Sequence, residues 1–201
     1  MTLALQKFYQ KEVLEAGCDE AGSGCLAGPV FAAAVILDAK KTIKGLDDSK
    51  KLNEKQRHEL RFEIEAKALS FAVASYDNKQ IDEVNILKAS FLSMHLAIDG
   101  LSLVPELLLI DGNRLIPYKK IKHHCIIKGD AKMQCIAAAS ILAKTYRDEY
   151  MMQLHHEFPM YGWDRNKAYP TQEHREAIAK HGITPYHRLS FTLQKKQLEL
   201  F

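Results

Sequence analysis

The stretch Cys18-Asp19-Glu20-Ala21-Gly22-Ser23-Gly24-Cys25-Leu26-Ala27-Gly28-Pro29-Val30 decides what this chain can become. A short apolar run leads into two adjacent carboxylates, and a glycine turn follows at once. Two acids held close together repel unless a cation balances them. Glycines beside them let backbone amides approach a ligand closely. Together they point to a metal-dependent site that grips a phosphodiester.

Outward from this stretch, residues 13–20 read as a strand that ends at the acids. Residues 29–37, Pro-Val-Phe-Ala-Ala-Ala-Val-Ile-Leu, are continuously apolar and read as a central strand buried on both faces. Residues 38–52 are polar and read as a loop. Asn53, with Gln56 three residues on, predicts a capped helix over about 54–67. Residues 69–76 alternate as a third strand. A second helix follows Asn85, with Leu87, Phe91, Met94 and Ile98 on one face. Residues 106–110 form a short buried strand ending at Asp111-Gly112-Asn113, and residues 121–128 another, ending at Gly129-Asp130. A helix rich in small residues follows through Ile136–Lys144. Thr171, with Glu173 in the first turn, caps a last helix that stops at Gly182. The order predicts an α/β fold: a mixed sheet covered by helices, with a helical C-terminal extension. Acids recur at strand ends, where sites gather in open α/β sheets.

The bulk properties exclude several classes. The chain has 201 residues, room for one domain of ordinary size with a small appendage. Hydrophobic residues make up 47% and charged residues 26%, a globular balance. No apolar run is long enough to span a membrane, and the N-terminus lacks the pattern of a signal peptide. The protein therefore reads as cytoplasmic. A net charge of +3 leaves any nucleic-acid contact to local basic patches. Cys18, Cys25, Cys125 and Cys135 form no C-x-x-C pair and read as free thiols packed near the core. His123-His124 and His155-His156 lack metal-ligand spacing and read as surface or packing residues.

Any single acid near a turn is more often solvated or capping than catalytic. Asp164 keeps that reading, and Asp148, after Arg147 inside a helix, reads as an ion-pair partner or as a group that supports the metal ligands from behind. Asp19, Glu20, Asp111 and Asp130 differ because all four sit at strand or helix ends, where they could hold two magnesium ions.

Five ordered blocks resemble the motifs of bacterial type 2 ribonuclease H (ribonuclease HII). They are Asp19–Val30; Leu46-Asp47-Asp48-Ser49-Lys50-Lys51-Leu52; Leu109–Asn113; Lys128–Ala131 with Ala137–Lys144; and Tyr169-Pro170-Thr171 with Glu173-His174, then His187-Arg188 and Ser190-Phe191. The resemblance runs from about residue 13 to 192. It implies a ribonuclease H-like five-stranded mixed sheet flanked by helices, with a catalytic core over 1–150, a helical C-terminal subdomain over 151–192 and a tail over 193–201. It implies that Asp19, Glu20, Asp111 and Asp130 bind Mg²⁺ or Mn²⁺, two ions with substrate bound. It further implies a monomeric endonuclease that cuts RNA in RNA–DNA hybrids and nicks duplex DNA 5′ of an embedded ribonucleotide, leaving 3′-hydroxyl and 5′-phosphate ends.

The same resemblance assigns substrate contacts to Gly22, Ser23, Gly24, Ser49, Lys50, Lys128 and Tyr169. The glycine turn would read the ribose 2′-hydroxyl through backbone groups, and Tyr169 would pack on the sugar beside the cut. A 2′-hydroxyl both donates and accepts, which is what separates RNA from DNA. Lys50 and Lys128 are candidate phosphate contacts. One position departs from the family: arginine usually stands between the two glycines, and this chain has Ser23. Loss of a charged hydrogen bond costs about 1.5–3 kcal/mol, so the alternative is a hybrid-binding protein of reduced activity. A dinucleotide-binding oxidoreductase is the other rival. It fails because Gly22, Gly24 and Gly28 miss the G-x-G-x-x-G spacing and lead into a strand, not a helix.

The chain ends Gln197-Leu198-Glu199-Leu200-Phe201. This closely resembles the Gln-Leu-x-Leu-Phe peptide by which bacterial replication and repair proteins bind the sliding clamp. Leu198, Leu200 and Phe201 suit an apolar pocket and Gln197 a polar anchor. The expectation is an exposed tail that binds the clamp.

Overall fold

A computed structural model describes residues 4–193; the Gln197–Phe201 motif lies outside them. Its centre is a five-stranded sheet in the order β3-β2-β1-β4-β5. The strands are β1 (Glu15–Ala21), β2 (Val30–Ile36), β3 (Ser70–Tyr76), β4 (Leu107–Asp111) and β5 (Lys122–Ile126). β1 and β2 pair antiparallel, as do β2 and β3, whereas β4 lies parallel to both β1 and β5. The helices are α1 (Glu54–Lys67), α2 (Asn78–Val84), α3 (Ile86–Asp99), α4 (Gln134–Glu157), α5 (Trp163–Asn166) and α6 (Gln172–His181). The sheet is mixed and helix-covered, as expected.

Strand alternation sorts the core into two layers. Ala32, Ala34 and Ile36 of β2, with Leu108 and Ile110 of β4, pack against Phe91, Met94, Ala97 and Ile98 of α3. Ala33 and Val35 face the other way, onto Leu60 and Ile64 of α1 and the alanine-rich stretch of α4. Small residues on both sides let α4 lie close to the sheet. The limit is Gly17, where a Cβ would stand 2.3 Å from the carbonyl carbon of Cys135.

The capping box at Asn53 and Gln56 forms as expected. Three expectations need correction. Leu87 falls on one face with Phe91, Met94 and Ile98, yet it is 44% exposed while those three are buried; the first turn of α3 overhangs a cleft. α2 was not expected at all, although Asp77 and Gln80 form a capping box at its start. The helix expected through Ile136–Lys144 continues to Glu157. That extension carries Met151 and Leu154 into a separate cluster with Cys25, Leu26, Ala27, Tyr161 and Trp163. Cys18, Cys25 and Cys135 are buried free thiols, and Cys125 is half-buried.

Candidate active site

The parallel pairing of β1 with β4 sets Cys18 opposite Ile110, so Asp19 and Asp111 emerge together at neighbouring strand ends. Alternation turns Asp19 to the α4 side and Glu20 to the α3 side. After β5, Lys128 takes a left-handed conformation and starts a short 3₁₀ turn that carries Asp130. Gly129 N–H donates to Asp111 Oδ1 at 2.7 Å, which ties that turn to the end of β4. All four acids thus meet at one edge of the sheet.

Asp19 and Asp130 are buried, and Glu20 and Asp111 half-buried. Burial, together with the charges of Glu20 and Asp111, pushes the Asp19 carboxyl well above the usual carboxylate range. Burial and the Asp111 charge push Glu20 up to about 7. Asp130 is raised by burial and Asp111, partly offset by Lys50, whose Nζ donates to its Oδ2 at 3.3 Å. Asp19 Oδ1 accepts the Glu20 N–H at 2.7 Å, and the Ser140 hydroxyl of α4 also hydrogen-bonds to it. Among the described residues no group of three or more His, Cys, Asp or Glu side chains is set to hold a metal ion by itself. The acids are nevertheless close enough to oppose one another's ionisation, and Lys50 is a small counterweight. Hard oxygen donors with unbalanced negative charge fit divalent cations whose shells are completed by water and phosphate.

A cleft of about 420 Å³ opens beside the acids. Glu20, Asp111, Ser23 and Gly24 form one side, and Leu87, Phe91 and Met94 of α3 the other. A larger cavity of about 500 Å³ lies at the opposite end of β1, near Glu15, Ile36 and Cys135, away from the acids.

The glycine turn borders the cleft. Gly22 has φ +92°, and a Cβ there would stand 1.9 Å from Arg147 Nε, so no other residue fits. Nothing lies within 4 Å of a Cβ at Gly24, and Ser23 is exposed. Tyr169 is 40% exposed. Its ring centroid is 5.7 Å from Lys144 Nζ and 5.9 Å from Arg147 Cζ. Left-handed Lys167 and Ala168 precede it, a costly backbone that its surroundings must hold. They do so through the Lys167 carbonyl on Arg147, the Ala168 carbonyl on the Leu26 N–H and the Tyr169 carbonyl on His174 Nδ1. Lys50 and Lys128 are exposed near the acids, whereas Ser49 is buried, its hydroxyl 2.9 Å from that of Ser140. Asp148 is buried and paired with Lys144 Nζ at 2.6 Å, the ion-pair role expected of it. Asp164 pairs with Arg165.

Two supports went unassigned in the sequence. One is a pair of wholly buried arginines, Arg147 and Arg188, bonded to backbone carbonyls around the glycine turn. The other is a buried polar chain: Trp163 Nε1 donates to His174 Nε2 at 3.0 Å, and His187 Nε2 lies 3.3 Å from the same atom. Thr184 N–H donates to His187 Nδ1. Burial holds both histidines below the usual imidazole range, His187 at about 4. The motifs His187-Arg188 and Glu173-His174 were visible, but nothing in their spacing says what they touch.

With this arrangement of acids, turn and tyrosine, the chain belongs to the ribonuclease HII family, endonucleases of the ribonuclease H type that act on RNA–DNA hybrids. The family model described as Ribonuclease HII matches residues 16–194. A ribonuclease HII of Bacteroides thetaiotaomicron is 59% identical over 189 residues, 94% of each chain. That of Cytophaga hutchinsonii is 52% identical over 202 residues, covering both chains fully. Among solved structures, the PCNA:RNase HII complex from Archaeoglobus fulgidus has 30% identity and a TM-score of 0.77, covering 94% of this chain and 100% of that one. The ribonuclease H2 from Pyrococcus horikoshii OT3 has 25% identity and a TM-score of 0.75, covering 90% and 95%.

Proposed function

We propose that this endonuclease nicks duplex DNA on the 5′ side of an embedded ribonucleotide, as well as cutting RNA in hybrids, by a two-metal-ion mechanism with Asp19, Glu20, Asp111 and Asp130 as ligands. The supporting observation is the gathering of these four acids, with raised carboxyl pKa values at Asp19, Glu20 and Asp130, at the edge of an open cleft. Bound Mg²⁺ or Mn²⁺ would supply charge stabilisation at the phosphodiester and activation of water.

The chain's own residues do the rest. Ser23 and Gly24 line the cleft and, with Gly22 behind them, form the backbone turn that reads the 2′-hydroxyl. Tyr169 offers a half-exposed ring to the sugar beside the cut. Lys50 and Lys128 neutralise phosphate and hold the duplex in register. Ser49, being buried against Ser140, acts from behind Asp19. The 3′-hydroxyl and 5′-phosphate ends follow from attack at the phosphorus with departure of the 3′ oxygen.

Ser23 is exposed and carries no charge to pair with a phosphate, where the family usually has an arginine. This supports the second reading, a protein that binds hybrids with reduced turnover. Ser23→Arg then raises the rate; equal or slower cleavage by that variant removes the second reading.

A core over 1–150 and a helical subdomain over 151–192 belong to the same proposal; α4 crosses that boundary, and the buried cluster around Tyr161 and Trp163 joins the two parts through Cys25, Leu26 and Ala27. The Gln197–Phe201 segment is proposed to bind a sliding clamp, a reading supported by its likeness to the Gln-Leu-x-Leu-Phe peptide and by the PCNA complex of the archaeal relative. No helix among the described residues is long and apolar enough to cross a membrane. Cytoplasmic location and a monomeric state belong to the same proposal.

The test is strand scission of a DNA duplex bearing one ribonucleotide, with Mg²⁺, by wild type and Asp111→Asn. Scission by the wild type alone supports the reading. Near-equal rates from both proteins overturn the ligand assignment.

A further inference from the structure

We propose that Arg188, backed by Arg147, is a positioning residue that aims the Ser23 and Gly24 amide N–H groups into the cleft and so sets the preference for a ribonucleotide. The inference rests on the proposed 2′-hydroxyl readout at that turn. Arg188 is wholly buried, which is costly for a charge unless it is fully hydrogen-bonded. Its hydrogen bonds go to carbonyls: Nη2 donates to Gly22 at 2.8 Å, Nη1 to Ser23 at 3.0 Å and Nε to Gly28 at 3.0 Å.

A trans peptide is planar, with its N–H opposite its C=O. The Gly22 carbonyl shares a plane with the Ser23 N–H, and the Ser23 carbonyl with the Gly24 N–H. Arg188 draws both carbonyls inward, so both N–H groups point away from it, toward the side where Ser23 and Gly24 line the cleft with Glu20 and Asp111. Among the described residues neither N–H donates to the protein. A guanidinium on each carbonyl also polarises the amide and strengthens its N–H as a donor. With serine at position 23, the turn offers its backbone and a short hydroxyl, and no guanidinium.

Arg147 closes the rear of the turn. It donates to the carbonyls of Pro29, Lys167 and Ala27 at 3.1, 3.0 and 3.3 Å, and its side chain fills the space a Cβ at Gly22 would need. Arg188 is itself anchored from outside. Its N–H donates to the Leu26 carbonyl. On α2, the Asp82 carboxylate accepts the N–H groups of Leu189 and Ser190, and Asn78 Nδ2 donates to the carbonyls of Pro185 and His187. The helix the sequence concealed thus steadies the arginine that steadies the turn.

The experiment measures nicking of a duplex with one ribonucleotide in Mg²⁺, with the all-DNA duplex of the same sequence as competitor. Discrimination is the competitor's Ki divided by the substrate's KM. Melting temperature is recorded for wild type, Arg188→Lys and Asp82→Ala. Arg188→Lys lowers discrimination about tenfold, the scale of one charge-assisted hydrogen bond, while Ki for the all-DNA duplex is unchanged. Asp82→Ala, which leaves the arginine in place and sits at the surface, lowers it less and carries the test where Arg188→Lys does not fold. Variants that discriminate as wild type does, with any loss of activity tracking melting alone, overturn the inference. A wild type that fails to discriminate overturns the 2′-hydroxyl reading and this inference with it.

Discussion

Asp19, Glu20 and Asp130 are expensive to keep ionised where they are. Asp19 is the extreme case, buried and facing two other carboxylates. Asp19→Asn removes charge without changing shape, so the metal-free protein should melt no lower than wild type. Added Mg²⁺ should raise the wild-type melting temperature and leave the variant's almost unmoved, because a ligand stabilises only the state that binds it. Turnover should fall at least about a hundredfold, the effect of several kcal/mol of lost charge stabilisation. Calorimetry with and without Mg²⁺, beside a cleavage assay, checks both. Tyr169 is a different kind of residue. Its ring is partly exposed and its backbone is held by other groups. Tyr169→Ala should therefore slow cleavage at a lone ribonucleotide by more than it lowers stability. Normal cleavage per folded molecule with a large fall in melting temperature would mark it as a packing residue instead.

At the scale of elements, the helix α2 rests on its cap. Asp77 accepts the Gln80 N–H at 2.8 Å, and Asp77→Ala should cost about 1 kcal/mol, read as a shifted midpoint in urea. The histidine chain gives a pH signature. His187 is held at about 4, below the ordinary 6.5, chiefly by burial and then by His174. The unfolded chain therefore takes up protons first as pH falls. Its contribution to stability is complete above about 6.5 and is lost as pH drops toward 4. Melting temperature should fall over that window, and His187→Gln should flatten the fall. Much of this level was legible beforehand. The apolar run at 29–37, the cap at Asn53 and Gln56, and the acids ending β1 and β4 all announce themselves locally. Leu87 did not, because periodicity finds the apolar face of α3 but not where that helix overhangs the sheet. Arg147 and Arg188 did not either. Apart from the Lys167 carbonyl on Arg147, their partners are carbonyls more than a hundred residues away in sequence, and no side-chain pattern records a carbonyl.

For the molecule as a whole, the fold brings acids from β1, β4 and the turn after β5 to one edge, while Arg147 of α4 and Arg188 beyond α6 brace the glycine turn and His174 of α6 holds the Tyr169 carbonyl. The proposed clamp-binding motif, Gln197–Phe201, lies outside the described residues. Deleting residues 197–201 should abolish binding to a bacterial sliding clamp and leave cleavage rates unchanged; a binding assay with full-length and truncated proteins decides it, equal affinities counting against the motif. The most direct test of the central claim is the position of the cut. A DNA duplex with a single ribonucleotide, labelled at both ends of the modified strand, is incubated with the protein and Mg²⁺. The predicted result is one incision, on the 5′ side of the ribonucleotide, leaving a 3′-hydroxyl on one fragment and a 5′-phosphorylated ribonucleotide on the other. Incision elsewhere, the reverse end groups, or equal cutting of the all-DNA duplex would contradict it.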